Sequence, residues 1–203
     1  LSSLPEVRET FFNAAYPDEY KKTIPLITEI DKLYKCLIPK NYAKQYKKAK
    51  QTKFRIGKTS FTTVTTNINF RTTTHRDKGD DEEGFGNLAV IGRGEYTGGE
   101  TCFPQYRIGV DVREGDILFM NVHEWHGNLP VKKKNEDVIR MSIVCYLRKK
   151  IWDRSKGMTS SEFKKHIEIQ RSINKANYKK CMDNKTRKKV KKKKSKLNTR
   201  KCK

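Results

Sequence analysis

His75-Arg76-Asp77, with His123 and His126 far downstream, places rare residue types in a pattern that could hold a metal; the chain has only four histidines. Two imidazoles and one carboxylate form a 2-His-1-carboxylate facial triad, which binds a non-haem Fe(II) and leaves coordination positions open. A lone histidine in such a chain is more often structural, but pairing with His-x-Asp changes that balance. Further on, Arg140 and Ser142 share a strand face with Val144 and Tyr146. If that face points inward, Arg140 needs an anion, because burying a guanidinium unpaired costs several kcal/mol. A carboxylate is its natural bidentate partner, and Ser142 could donate to the same group. Upstream of the triad, Asn67, Asn69 and Arg71 share the face of His75 if the strand is unbroken. Polar residues facing inward need partners or ligands. They predict a polar cavity, with Asn67 lining it and Arg71 available to an anion. The alternative is that this face is solvated while Ile68 and Phe70 face the core.

The elements that must carry these residues are helices, then strands, then a helix. In residues 1–53, Thr23 is an N-cap candidate with Pro25 in a first turn. Ile24, Ile27, Ile30, Leu33, Tyr34 and Leu37 recur at helical spacing, Pro39 ends that helix, and Tyr42, Tyr46 and Ala49 suggest a second. From Phe54 the period becomes that of strands. Phe61-Thr-Thr-Val-Thr-Thr-Asn-Ile-Asn is rich in Thr and β-branched residues. Leu88–Ile91, Ile108–Val112, Ile117–Met120 and Ile139–Leu147 read as further strands, 80–86 as an acidic loop and 130–136 as a polar loop. Short strands separated by frequent turns predict an α+β chain whose core, residues 54–152, is a double-stranded β-helix (jelly roll). Thr159-Ser-Ser-Glu162 is a capping box. It predicts a helix toward Tyr178 within 153–178, followed by a disordered Lys-rich tail over 179–203.

Lysine and arginine number 46 against 23 acidic residues, a net charge of +23. About +13 lies in 179–203 and about +10 in the rest, so a polyanion partner is expected of both parts. A Lys-rich proteome is the bland explanation for the core's share. Five scattered cysteines without a CxxC argue against a disulfide framework or a zinc module. No apolar run reaches membrane-spanning length and no leader is evident. An intracellular protein is expected, nuclear in a eukaryote or acting on viral DNA in a host cell, with no membrane and no obligate protein partner.

Together, Phe61-Thr-Thr-Val-Thr-Thr-Asn-Ile-Asn, His75-Arg-Asp77-Lys-Gly-Asp, Gly98-Gly-Glu-Thr-Cys-Phe-Pro, Gly115-Asp-Ile-Leu-Phe, His126-Gly-Asn and Arg140-Met-Ser142 resemble the Fe(II)/2-oxoglutarate dioxygenase superfamily. Within it they are most similar to the TET/JBP branch, over roughly residues 24–151. The resemblance implies Fe(II) on His75, Asp77 and His126, with His126 preferred over His123. It implies 2-oxoglutarate and O2 as cosubstrates, the far carboxylate of 2-oxoglutarate on Arg140 with Ser142, Asn67 and Arg71 nearby. The implied reaction is oxidation of a methyl group on 5-methylcytosine or thymine in DNA. The chain lacks the Cys-rich domain and long insert of animal TET proteins and a separate base-J-binding domain.

An enzyme acting on a base must flip it or meet a single strand, and must hold the phosphate backbone. Lys132, Lys133 and Lys134, and Lys191, Lys192, Lys193 and Lys194 in the tail, are the candidate backbone contacts. Phe85, Tyr96 and Trp125 are aromatic candidates at the cavity mouth. Two other readings remain open here. One is a 2-oxoglutarate oxygenase hydroxylating a prolyl or lysyl side chain of a protein; the other is a non-enzymatic jelly-roll binding module.

Overall fold

A computed structural model of the chain describes residues 7–198, with side chains to residue 184. Two units are present, Tyr16–Met158 and the described parts of Leu1–Ala15 with Thr159–Lys203.

In the larger unit, α2 (Pro17–Leu37) and α3 (Pro39–Ala49) follow the short helix α1 (Phe11–Ala15) of the other unit. α2 starts six residues before Thr23 and encloses Pro25. Pro17 at its first position is pre-organised for a helix start, and Asp18 and Glu19 favour the positive end of the helix dipole. Thr23 is therefore not a cap; its hydroxyl donates to Tyr20 O at 2.7 Å. The buried stripe of α2 is Ile27, Ile30, Asp31 and Tyr34, whereas Leu33 and Leu37 are exposed.

The strands are β1 (Thr63–Ile68), β2 (Gly86–Arg93), β3 (Tyr96–Thr97), β4 (Thr101–Phe103), β5 (Ile108–Val110), β6 (Ile117–Met120), β7 (Gly127–Asn128), β8 (Lys132–Lys133) and β9 (Ile139–Tyr146). They form an antiparallel sheet in the order β1-β9-β2-β6, a smaller one in the order β5-β4-β7, and the ladder β3-β8. The segment expected to be a polar loop at 130–136 thus contains a strand, held by Tyr96 and Thr97 opposite Lys133 and Lys132.

Register sets two faces on the main sheet. Thr66, Ala89 and Ile117 fall on the face of Ile143, whereas Asn67 and Val90 lie opposite Ser142 on the other. Ala89, Ile143 and Cys145 pack with Ile27, Ile30, Tyr34, Tyr42, Ile56 and Phe61 into one apolar core. Within it Tyr34 stacks on Phe61 and Phe119 at centroid distances of 6.2 and 5.7 Å. The buried Asp31 is fully partnered: Ser60 N and Oγ donate to Oδ1 at 2.7 and 2.6 Å, and Tyr42 donates to Oδ2 at 3.2 Å. A buried carboxylate is tolerable on those terms. α4 (Lys149–Ser155) follows β9 directly.

In the smaller unit, α5 runs from Ser160 to Asn198. The capping box forms: Glu162 N donates to Thr159 Oγ1 at 3.2 Å, and Thr159 N donates to Glu162 Oε2 at 2.8 Å. Residues near the N-terminus lie along this helix, where the buried Gln170 exchanges two 2.8 Å hydrogen bonds with the backbone of Glu9. The helix does not stop near Tyr178 as the charge pattern predicts. Lysine and arginine are good helix formers, and no Gly or Pro interrupts residues 160–198. The end of the expected disordered tail, 199–203, lies outside the described residues. Among those described, no helix is long and apolar enough to cross a membrane.

Candidate functional site

The second face of the main sheet lines a cavity of about 280 Å³. Thr65 and Asn67 from β1, Leu88 from β2, Met120 from β6 and Ser142, Val144 and Tyr146 from β9 form one wall; His75, Asp77 and His126 close the other side. Alternation within β9 explains why Arg140, Ser142, Val144 and Tyr146 enter the cavity while Ile143 and Cys145 enter the core.

His75 and His126 face each other as an isolated antiparallel bridge: His75 N donates to His126 O at 2.8 Å and His126 N to His75 O at 2.9 Å. Asp77 N is fixed on Val122 O at 2.9 Å. The bridge needs close approach. A Cβ on Gly127 would stand 3.0 Å from both Thr72 O and Thr74 N. The result is a cluster whose three ligand atoms all lie within 4.8 Å of one another. Asp77 Oδ1 is 3.5 Å from His75 Nε2, and Oδ2 is 3.6 Å from His126 Nε2. Each imidazole is held from behind, His75 Nδ1 at 2.8 Å from Thr73 O and His126 Nδ1 at 2.9 Å from Glu124 O. A carbonyl only accepts, so both Nδ1 atoms carry a proton, and in the neutral rings both Nε2 lone pairs are free for the cluster's centre.

Electrostatics follow from that packing. The adjoining His126 holds the Asp77 carboxyl below its ordinary range, against the opposing effect of burial. Burial draws the His126 pKa down, but Asp77 and the Glu124 carbonyl outweigh it and the net shift is upward. Asp80, also in the cavity wall, is pushed up to about 7 by burial and by the Asp77 charge.

Arg140 is 5% exposed, with Nη2 3.4 Å from Val112 O and Nε buried without a partner. A buried guanidinium nitrogen left unpaired is costly, so this atom fits an anionic ligand in the cavity. Ser142 and Asn67 flank it across the β1–β9 ladder, directly opposite one another. The donor set and the orphaned Nε together fit a divalent metal and a dicarboxylate.

Arg71 is not brought to the site. β1 ends at Ile68 and Asn69 adopts φ 49°, which breaks the alternation. Phe70 and Thr72 join the wall in its place, and Arg71 is exposed. His123 stays outside the cluster, its Nε2 3.4 Å from Asp81 O. Trp125 is half-exposed beneath the Arg76 guanidinium, 4.9 Å from its ring, and Phe85 packs on the apolar core. Tyr96 lines a shallow groove with Lys132, Lys133 and Lys134, where Lys133 pairs with Glu136 at 2.7 Å and Lys134 with Glu95 at 2.6 Å. Lys191–Lys194 lie on α5, with side chains outside the described residues. The reading from sequence missed Thr72, Asp80, Thr101 and Asn128 in the wall. Asn128 follows His126-Gly and zips the wall together: its Oδ1 accepts from Thr72 N at 2.8 Å and its Nδ2 donates to Phe70 O at 3.1 Å.

Comparison with known proteins gives the chain's relatives. The chain is 37% identical over 141 residues to a bifunctional helicase and thymine dioxygenase JBP2 of Leishmania tarentolae, covering 70% of this chain and 13% of that protein. It is 33% identical over 143 residues to a thymine dioxygenase JBP1 of Trypanosoma brucei brucei, covering 70% and 17%. The match therefore spans less than a fifth of those relatives. Among solved structures, NgTET1 in complex with 5mC DNA has a similar fold, with a TM-score of 0.59 at 15% identity, over 78% of this chain and 62% of that one. Residues 2–149 match the TET/JBP family, described as the oxygenase domain of the 2OGFeDO superfamily, and the chain belongs to that family.

Proposed function

We propose that this chain is an Fe(II)- and 2-oxoglutarate-dependent dioxygenase that oxidises the methyl group of a nucleobase in DNA. The observation that carries the proposal is the convergence, in one cavity, of the His75–Asp77–His126 cluster with the unpartnered Nε of Arg140. The similarity to thymine dioxygenases supports thymine as the first base to test, and the fold shared with a 5mC-DNA complex supports 5-methylcytosine as the second. The two antiparallel sheets flanking the cavity support a double-stranded β-helix core.

In this reading His75 and His126 offer Nε2, with their Nδ1 protons engaged by Thr73 and Glu124, and Asp77 offers a carboxylate oxygen from between them. Arg140 pairs with the far carboxylate of 2-oxoglutarate, with the Ser142 hydroxyl and Asn67 amide as neighbouring donors. Bound there, Fe(II) and 2-oxoglutarate supply with O2 the oxidant that converts a methyl C–H into C–OH, releasing succinate and CO2. Leu88, Met120 and Val144 make the wall beside these groups apolar, which limits water around them. The basic excess of both units supports a phosphate-backbone partner; a DNA substrate would go with a nuclear location in a eukaryote or with action on viral DNA in a host cell.

The test is Fe(II)-reconstituted protein with 2-oxoglutarate and O2 on duplex DNA containing thymine and 5-methylcytosine, read by nucleoside mass spectrometry beside Asp77→Ala. One added oxygen on either base, absent in the variant, is expected. Succinate without an altered nucleoside would move the substrate to a protein or RNA.

A further inference from the structure

Among the described residues, Arg140 is the basic side chain of the cavity wall, and two residues outside the metal cluster hold it in place. Asn69 closes a ring around its backbone. Asn69 Oδ1 accepts from Arg140 N at 2.8 Å, and Asn69 N donates to Arg140 O at 2.9 Å. Asn69 Nδ2 donates to Val138 O at 2.9 Å. It does so from φ 49°, the left-handed region that Asn tolerates and β-branched residues do not. Gly99, at φ 84°, lies against the guanidinium stem. A Cβ there would stand 2.9 Å from Arg140 Nε and 3.1 Å from Cδ.

An arginine side chain is long and rich in rotamers, so a ligand that uses it must first restrict it. Here the restriction is already made: the strand carrying Arg140 is pinned by Asn69, the stem is given room by Gly99, and Nη2 is held on Val112 O. The cost is a buried Nε without a protein partner, which stability alone does not reward. We propose that Asn69 and Gly99 are positioning residues for the cosubstrate. They preset the Arg140 guanidinium and so set the affinity for a dicarboxylic 2-oxo acid. The inference rests on the reading of Arg140 as partner of the far carboxylate of 2-oxoglutarate.

The test is equilibrium binding of 2-oxoglutarate by calorimetry, on the full-length metal-loaded protein without O2. Asn69→Gly keeps access to the left-handed backbone and removes both side-chain hydrogen bonds. It is expected to raise the Kd for 2-oxoglutarate about tenfold, while the metal Kd and kcat at saturating 2-oxoglutarate change less than about twofold. Asn69→Asp keeps the Oδ1 acceptor for Arg140 N but loses the donation to Val138 O, and is expected to recover part of the affinity. Gly99→Ala sets a methyl against Nε and is expected to cost about 100-fold. A merely structural role would lower Tm and metal affinity together with 2-oxoglutarate affinity and would show no rescue by Asp; that result, or wild-type Kd in both Asn69→Gly and Gly99→Ala, overturns the inference. Arg140→Lys runs in parallel. If it also binds 2-oxoglutarate as the wild type does, the reading of Arg140 itself fails, a result distinct from failure of the two positioning residues alone.

Discussion

One strand serves two environments in this protein. On β9, Ile143 and Cys145 enter an apolar core built with α2 and α3, while Arg140, Ser142, Val144 and Tyr146 line the cavity. On the core side the buried carboxylate of Asp31 has its three donors, and burial pushes the Cys145 thiol up to about 12, so it stays neutral; a polar atom left over there is the neutral amide oxygen of Asn87, opposite Cys145. On the cavity side His75, Asp77 and His126 bring three potential ligand atoms within 4.8 Å of one another, and the charged Arg140 has its Nε without a protein partner. Residues one position apart therefore answer to different requirements. The core face holds the fold together, and the cavity face holds groups that a folded chain alone would not retain.

The sharpest way to break this division is to remove one side chain of the His75–Asp77–His126 cluster. Asp77→Ala is expected to lower metal affinity and turnover at least about 100-fold, with the metal-free Tm little changed. Calorimetric metal titration beside a thermal melt checks both. A collapse of the fold would make Asp77 a structural residue and erase the distinction.

The core face makes the converse case. Phe61 is fully buried and stacked on Tyr34. Phe61→Ala is expected to cost about 3–5 kcal/mol in urea unfolding through lost burial and a cavity. The 2-oxoglutarate Kd of the fraction that remains folded should stay at the wild-type value.

How much of this was legible in the sequence follows from the range of each signal. The His75–Asp77–His126 cluster was legible because histidine is scarce here and His-x-Asp is a local spacing. Arg140 and Ser142 were legible because alternation runs unbroken through β9. Arg71 was misplaced because the same rule was carried through Asn69, whose left-handed turn is stabilised by partners on β9 some seventy residues away. Asp80 sat in a stretch read as an acidic loop; its burial accompanies a bridge to Arg148 that no local pattern reports. The β3–β8 ladder is too short to leave a period. For α5, like charge was weighed above the helix propensity of lysine, and the helix continues.

Arg140→Met sharpens the comparison with a smaller effect. Methionine matches the stem's volume without the unpaired Nε, so the metal-free protein should gain up to about 1 kcal/mol in urea unfolding. Binding of 2-oxoglutarate should be lost. A loss of stability instead would mean that Arg140 contributes to the fold as Phe61 does, and that its face is not held for a ligand.

The smallest expected effect is the response to pH between 6 and 8, which should touch only the cavity face. Tyr34 and Cys145 in the core are pushed upward and out of that window. His126 and Asp80 are raised toward it or into it, His126 above its ordinary value and Asp80 to about 7. A group with a raised folded pKa contributes stability that is complete below its unfolded pKa and is lost as pH rises through the folded one. Both groups therefore make the metal-free protein more stable at pH 6 than at pH 8. Metal binding must run the other way, because it needs neutral His126 and the proton competes more strongly on a raised pKa. Melts and metal titrations across this range should cross: Tm of the metal-free protein falls with pH while metal affinity rises. In Phe61→Ala the crossing should persist at lower Tm, whereas in His126→Gln the His126 share of both slopes should vanish, leaving the Asp80 contribution to stability alone.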